Sequence, residues 1–413
     1  DAQESRGLGD VYKRQWEDRL ARVTVTPCHK PWRSAMPTPR KRATSQDVAN
    51  LAGVSRATVS MVLNDRTEGT VSTDTRKKVL EAAKTLQYTR SRAALTLREK
   101  QTRTIGIISD EIMTSPWAGR MLRAANQTAH ERGYFTLSMD RSIAGITQES
   151  AIHTLLEREV DGVLIATMGA VHVAVDRESA PVPIALLNCF NTHAPEGSVP
   201  PPDFMTAERF MREESPTVSV TGPTLFPEFV PDDYEGGFRA ARRLIDVGHE
   251  RIAVFTGDET VIAKQARDAG FFAACREAGI KPRFVTAGWN LDDGFRAGAQ
   301  VLAEPVERRP TGIFCIRDRV AAGLLQAAAL AGVDVPHEMS IIGFDDEDYF
   351  AECLTPPLTT IALPHIEMGR AAMSALIDEI EQPKSTVPDR AIFRCPLVER
   401  GTVARPAENV SNH

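Results

Sequence analysis

The stretch SQDVANLAGVSRATVSMVLN, residues 45 to 64, decides how the rest of the chain is read. Apolar residues recur at helical spacing through Val48, Leu51 and Ala52. Gly-Val-Ser then interrupts the pattern, and a second short run follows at Val59, Val62 and Leu63. Such a period buries one face of a helix. Ser45 and Ser55 are suited to cap the two helices, since a short side-chain oxygen satisfies backbone N–H groups left open at a helix start. Gly53 supplies the turn between them. The second helix leaves Arg56, Ala57, Thr58 and Ser60 outside. Downstream, STDTRKKVLEAAKTLQY (residues 72 to 88) predicts a third helix with Val79, Leu80, Ala83 and Leu86 on one face. Three short helices with a tight Gly-containing turn between the first two predict a helix-turn-helix. Its second helix is the one offered to a major groove, and short polar side chains near that helix's start suit contact with base edges and phosphates. A small helical adaptor without nucleic acid is the competing reading.

Charge supports the nucleic-acid reading without deciding it. The 413 residues carry a net charge of −6. Residues 36 to 103 hold 14 basic against 6 acidic residues, whereas everything after 103 is strongly acidic. A small basic module joined to a large acidic body attracts DNA only through the module. The six cysteines (28, 189, 275, 315, 353 and 395) are scattered without a C-x-x-C pair, which fits reduced thiols. The nine histidines show no zinc-type spacing, so no metal and no cofactor are expected. No apolar run long enough for a transmembrane helix occurs, and no secretory signal pattern is seen at the N-terminus. A cytoplasmic, nucleoid-associated protein is expected.

Beyond Thr102 the texture changes. Short apolar runs such as RTIGIISD, DGVLIAT, PIALLNC, RIAVFTG, TGIFCI and MSIIGFDD alternate with amphipathic helices. That alternation predicts parallel sheets covered on both faces. The strands are too many for one sheet, so two doubly wound sheets flanking a cleft are expected. Ligands then bind beyond the carboxyl ends of the strands. Residues 191 to 231 break the rhythm: they are proline-rich and lack a long period, and are read as an insertion or a lid. Residues 1 to 35 do not read as a domain. They are taken as a leader, disordered or not native, with Met36 as a natural start.

The stretches DVANLAGVSRATVSMVLN, VSTDTRKKVLEAAKTLQY, TRTIGII, VDGVLIA, LIDVGHERIAVFTG, VDVPHEMSIIGFDD and LTPPLTTIALPHIEMGRAA follow one another in a recognisable order. On them, the chain resembles the lactose/purine repressor (LacI/GalR) family of bacterial transcription regulators over about residues 43 to 403. The resemblance implies a small all-α headpiece (36–90), a hinge linker (91–102) and a periplasmic-binding-protein-like α/β body (103–405). It divides that body into an N-subdomain of about 103–231 and 346–361 and a C-subdomain of about 232–345 and 362–405. It implies that a homodimer reads near-palindromic double-stranded operator DNA. Ser55, Arg56, Ala57 and Met61 fall at base-contacting positions or beside them, with Thr58, Ser60 and Asn64 positioning phosphates. Leu97 falls where a hinge leucine wedges into the minor groove. Trp117, Asn188, Arg267, Trp289 and Asp318 map onto the effector pocket, where two indoles, a guanidinium and a carboxylate suit a polar ring. That ring is a carbohydrate or a nucleoside. Relatives carry a small residue and Asn just before the Asp, where this chain has Ile316 and Arg317. The expected function is a ligand-responsive regulator, a repressor of a carbohydrate-utilisation operon.

Two other classes compete with this reading. GFDDED (residues 343 to 348) is rich in carboxylates, as a hydrolase site can be, but no nucleophile elbow or phosphate-cradling loop accompanies it, so it reads as a strand end with a solvated turn and no enzyme is expected. A sugar-binding transport protein would share the body but not the headpiece.

Overall fold

The computed structural model describes residues 43–63, 71–88, 101–116, 118–179, 181–192, 217–220, 224–257, 261–383 and 389–407. Asn64, Leu97 and Trp117 lie outside the described residues. The chain divides into two compact units, with the division at about residue 91.

The first unit holds helices α1 (Ser45–Ala52), α2 (Arg56–Leu63) and α3 (Thr73–Thr85). The cap of α1 is Thr44, one residue before the expected Ser45. Thr44 Oγ1 accepts from Asp47 N, and the Asp47 carboxylate reaches back to Thr44 N at 2.7 Å, a reciprocal capping box. Gly53 ends α1 in the left-handed region at φ 67°, which glycine adopts without steric cost. Val48, Ala49, Val59, Val62, Val79 and Ala82 form a miniature core. Leu51 and Leu80, expected inside, point outward at 54% and 46% exposure. Helices this short bury only the narrowest stripe, and Ala49 and Ala82 take the inward places instead.

The second unit contains two sheets. The first runs in the order β2-β1-β3-β4-β6-β12-β5, formed by Thr104–Ser109 (β1), Phe135–Asp140 (β2), Gly162–Val173 (β3), Ile184–Asn191 (β4), Thr217–Val220 (β5), Glu228–Pro231 (β6) and Arg390–Phe393 (β12). The second runs β13-β11-β10-β9-β7-β8, from Ile252–Thr256 (β7), Arg283–Thr286 (β8), Gly312–Cys315 (β9), Ser340–Asp345 (β10), Thr359–Ala362 (β11) and Leu397–Val398 (β13). All pairings are parallel except the edge pairs β5–β12 and β11–β13. Helices α4 (Gly119–Glu131), α5 (Gln148–Leu156) and α10 (His365–Glu381) pack on the first sheet. Helices α6 (Asp233–Asp246), α7 (Ile262–Glu277), α8 (Leu291–Leu302) and α9 (Asp318–Ala331) pack on the second. Ile, Val and Leu fill both faces of the central strands, as parallel sheets require.

Two boundaries differ from expectation. Strand β11 belongs to the second sheet, while α10 and β12 return to the first. The lobes are therefore about 104–231 with 365–393, and 233–362 with 397–403. The expected assignment of 346–361 to the first lobe and 362–405 to the second is overturned, because the TTIA segment pairs in register with β10. The 191–231 segment is also not wholly an insertion. Residues 228–231 form the parallel strand β6, hidden by Pro227 before it and Pro231 at its end, and 217–220 add an edge strand. Among the described residues no helix is long and apolar enough to cross a membrane.

Candidate functional site

Two sites are built by these units. In the headpiece, Ser55 Oγ accepts from Thr58 N at 3.1 Å and lies 2.9 Å from Thr58 Oγ1, so it caps α2 as expected. Val59 and Val62 turn inward. Ser55, Arg56, Ala57 and Ser60 are exposed, and Thr58 and Met61 are half-buried. The helix therefore presents a short polar and cationic surface from its N-terminal turn, while the Thr58 hydroxyl is shared with the cap. This is the geometry with which a recognition helix meets a groove.

In the body, the carboxyl ends of the second sheet's strands converge on Arg267, on α7. It is only 5% exposed. Its Nε donates to Asp233 Oδ1 at 2.8 Å. Its Nη1 donates to the Ile316 carbonyl at 2.8 Å and lies 3.4 Å from Asp345 Oδ1. The guanidinium lies 3.6 Å from the centre of the Phe344 ring. Among the described residues Nη2 has no protein acceptor. Burial opposes the charge on Arg267, but Asp233 and Asp345 outweigh it and the net shift is upward. Burial also pushes the Asp233 carboxyl up, with Arg267 the main opposing influence. The two shifts pull in different senses, and the 2.8 Å contact favours the ionised pair.

Trp289 follows β8, half-buried, with its indole lying over Gly257 at the end of β7. Arg317 donates from Nε to Asp345 Oδ2 at 3.0 Å, and its guanidinium lies 5.8 Å from the Trp289 ring centre. The unexpected arginine therefore lines the same wall as Arg267 and Trp289. Asp318 behaves otherwise than expected. It is wholly buried at the start of α9. Thr360 Oγ1 donates to one oxygen at 2.5 Å and Glu347 N to the other at 2.8 Å. Burial first, and Asp345 second, hold its carboxyl well above the usual range. Its oxygens are engaged by the protein, so Asp318 ties α9 to β11 and to the turn after β10 rather than facing a ligand directly.

On the first sheet, Asn188 is 4% exposed and sits in the left-handed region at φ 60°. Its Nδ2 donates to the Thr167 and Met168 carbonyls, each at 3.1 Å, and its Oδ1 is buried without a hydrogen-bond partner. A buried acceptor left open beside a cleft is available to a ligand donor.

Several residues of the site were missed. Asp345 and Glu347, read as part of a solvated turn, are 3% and 5% exposed. They pair with Arg267 and Arg317, and with Arg319, respectively. Asp346 is held by Arg400 at 2.7 Å, and Arg120 of the first lobe reaches Asp348 at 2.9 Å. The acidic run is thus a junction for arginines from distant parts of the chain, which no local pattern reveals. Asp233 and His365 were also missed. His365 is buried where the chain crosses from β11 to α10, with Nδ1 unpartnered.

A helix-turn-helix carried on a two-lobed binding body defines a ligand-linked, DNA-binding transcription regulator. The chain belongs to the lacI family of bacterial regulatory proteins. That family's model matches residues 44–91, and the periplasmic binding protein-like domain matches 241–403. The ribose operon repressor of Escherichia coli (strain K12) is 32% identical over 374 residues, covering 87% of this chain and 99% of the relative. The HTH-type transcriptional repressor PurR of Vibrio cholerae serotype O1 (strain M66-2) is 30% identical over 87% of this chain and 98% of its own length. The crystal structure of the Lac repressor dimer bound to operator and the anti-inducer ONPF aligns with a TM-score of 0.66 and 24% identity, over 88% of this chain and all of that one, a likeness of fold. These relatives are regulators of transcription and not enzymes, as the sequence led us to expect.

Proposed function

We propose that this protein is a cytoplasmic repressor that binds a near-palindromic operator as a homodimer and releases or retains it according to a small polyhydroxylated effector held between its lobes. The observation that carries the effector reading is Arg267: a buried guanidinium at the strand ends, fixed by Asp233, Asp345 and the Ile316 carbonyl, with Nη2 left without an acceptor among the described residues. A preset arginine fork beside the Trp289 face is suited to hydroxyls on a ring. The kinship with a ribose operon repressor favours a carbohydrate over a nucleoside. The operator dimer named for the Lac repressor supports the paired half-site reading, because one headpiece reads too few base pairs alone. Within the same proposal, Trp117 supplies the second aromatic wall and Leu97 the hinge wedge. The effector acts only through its differential affinity for the open and closed arrangements of the lobes.

The test is a titration of the labelled operator complex with sugars, followed by fluorescence anisotropy. A sugar that shifts operator affinity in the wild type, and loses that effect in Arg267→Met, supports the reading. An unchanged response in the variant refutes the pocket.

A further inference from the structure

Strands β3 and β4 run on past the apolar runs DGVLIAT and PIALLNC, to Val173 and Asn191. Their register shifts between Ala166 and Val171. It then resumes with Val171, His172 and Val173 opposite Cys189, Phe190 and Asn191. Side chains hold this extension in place. Thr167 Oγ1 donates to the Asn188 carbonyl at 2.7 Å, and Asn191 Nδ2 donates to the Val175 carbonyl at 2.9 Å. A register shift of this kind bends a strand and re-aims its side chains.

The re-aimed residues meet the other lobe. Ala170 and Phe190, with Val230 and Ile392 of neighbouring first-sheet strands, share one buried apolar cluster with Ala263, and Val261 and Ile262 pack against it. The last three residues open α7, on the second lobe. Each of the other apolar clusters among the described residues is built on the headpiece or on a single sheet. Phe190 is 3% exposed and Ala263 6%, so the contact excludes water. The composition of the helix start fits this contact. Its N-cap is Val261, which makes no side-chain bond to the open backbone N–H groups, at a position where Ser, Thr, Asp or Asn is preferred. Burial of Val261 and Ile262 against the first lobe offsets that loss. Ala263 lies one helical turn before Arg267, so the contact bears on the helix that carries the cleft arginine.

A second bridge between the lobes is polar. Arg120 Nη1 donates to Asp348 Oδ1 at 2.9 Å and Nη2 to the Asp346 carbonyl at 3.0 Å. The Asp348 side chain is half exposed, so salt screens this bridge, whereas it does not screen the apolar one. We propose that the β3–β4 extension is a latch, which seats on the first turn of α7 and holds the two lobes closed in the absence of any ligand. A body latched in this way opens only when something binds the open arrangement better or the contact is broken. An effector that prefers the closed arrangement finds it already populated, and binds without the loss of apparent affinity that a rare competent state imposes. The latch acts whatever the chemical class of the effector.

The test is maleimide labelling of ligand-free, full-length Ala263→Cys, followed site by site by mass spectrometry. The same thiol in the urea-unfolded protein sets the unhindered rate. Cys275, buried on the same helix, reports any unfolding of the lobe. With the latch closed, the thiol introduced at position 263 should react at least about tenfold more slowly than in the unfolded chain. Adding Ala170→Asp on the first lobe places a carboxylate in the apolar contact, and should raise that rate at least about tenfold with Cys275 still protected. Phe190→Ala, which removes the ring without adding charge, should shift the rate in the same direction. Salt at about 1 M should leave the rate unchanged. A thiol at position 263 that reacts at the unhindered rate from the outset overturns the latch. So does one that neither Ala170→Asp nor Phe190→Ala exposes while Cys275 stays protected. A rate raised by salt as much as by Ala170→Asp assigns the closure to Arg120 and overturns it equally.

Discussion

Replacing Arg267 by Met tests the physical heart of the cleft. Methionine keeps most of the volume over Phe344 but removes the charge that faces Asp233 at 2.8 Å and Asp345 at 3.4 Å. Both carboxylates are at most 5% exposed, so water cannot replace the lost guanidinium. Breaking a buried pair by removing one partner costs about 3–5 kcal/mol, because the remaining charge stays desolvated. At roughly 2–4 °C per kcal/mol for a lobe of this size, the melting temperature should fall by on the order of 10 °C. The loss should also depend on pH. The Asp233 carboxyl is already raised by burial, and in the variant it loses its main opposing influence. An acid whose folded pKa lies above its unfolded value destabilises the fold once it must ionise. The deficit against wild type is therefore absent below the unfolded carboxylate value, near 3.9, and grows as pH rises through the folded value. Urea unfolding at about pH 8 and about pH 5 should show the larger deficit at the higher pH. Adding Asp233→Asn should recover part of it. A variant within about 1 kcal/mol of wild type at pH 8, or a deficit that deepens on acidification, would refute the buried-pair argument.

Further expectations follow from single contacts. Gly237→Ala would drive its new Cβ into the Arg267 carbonyl, where backbone cannot yield, so a loss of at least about 1–3 kcal/mol is expected in denaturant unfolding. His249 donates and accepts between Thr311 Oγ1 and the Ala404 carbonyl, and burial pushes its pKa down to about 4. Its folded value lies below the unfolded one, so its contribution is complete above about pH 6.5 and is lost as pH falls toward 4. His249→Asn should therefore flatten the acid limb of the stability profile. Arg56→Ala should relax base preference at one operator position by about 1–3 kcal/mol, read by competition with single-base variants, whereas loss of affinity spread evenly over all sequences would make it a phosphate contact. Leu97→Ala should weaken operator binding by a few kcal/mol at most and reduce DNA bending in gel mobility.

Much of this was legible from local pattern. The helix-turn-helix followed from a period, a cap and a glycine, and each alternating apolar run of the body became a strand. What failed was non-local. Ser45 looked like the cap because side-chain type alone does not distinguish it from Thr44. The reciprocal bond to Asp47 does. Strand β6 was hidden because it is only four residues long, preceded by Pro227 and ending in Pro231; all four pair with β12, but only Glu228 and Phe229 pair with β4. The acidic turn after β10 looked solvated because its arginine partners, at positions 120, 267, 317, 319 and 400, come from elsewhere in the chain. Asp318 looked like a ligand acceptor at a strand end. Gly343, on which no side chain could fit without meeting it, and Thr360 turn its carboxyl into the protein instead.

The proposed function requires that the exposed face of α2 reads a specific operator and that a ligand in the body governs the reading. Selection from a random pool of double-stranded DNA by the full-length protein, sequenced with and without each of a panel of sugars, tests it most directly. An enriched near-palindrome whose recovery changes in the presence of one sugar is the predicted result. Recovery of DNA without any shared sequence, or an enriched site whose recovery no sugar alters, would contradict it.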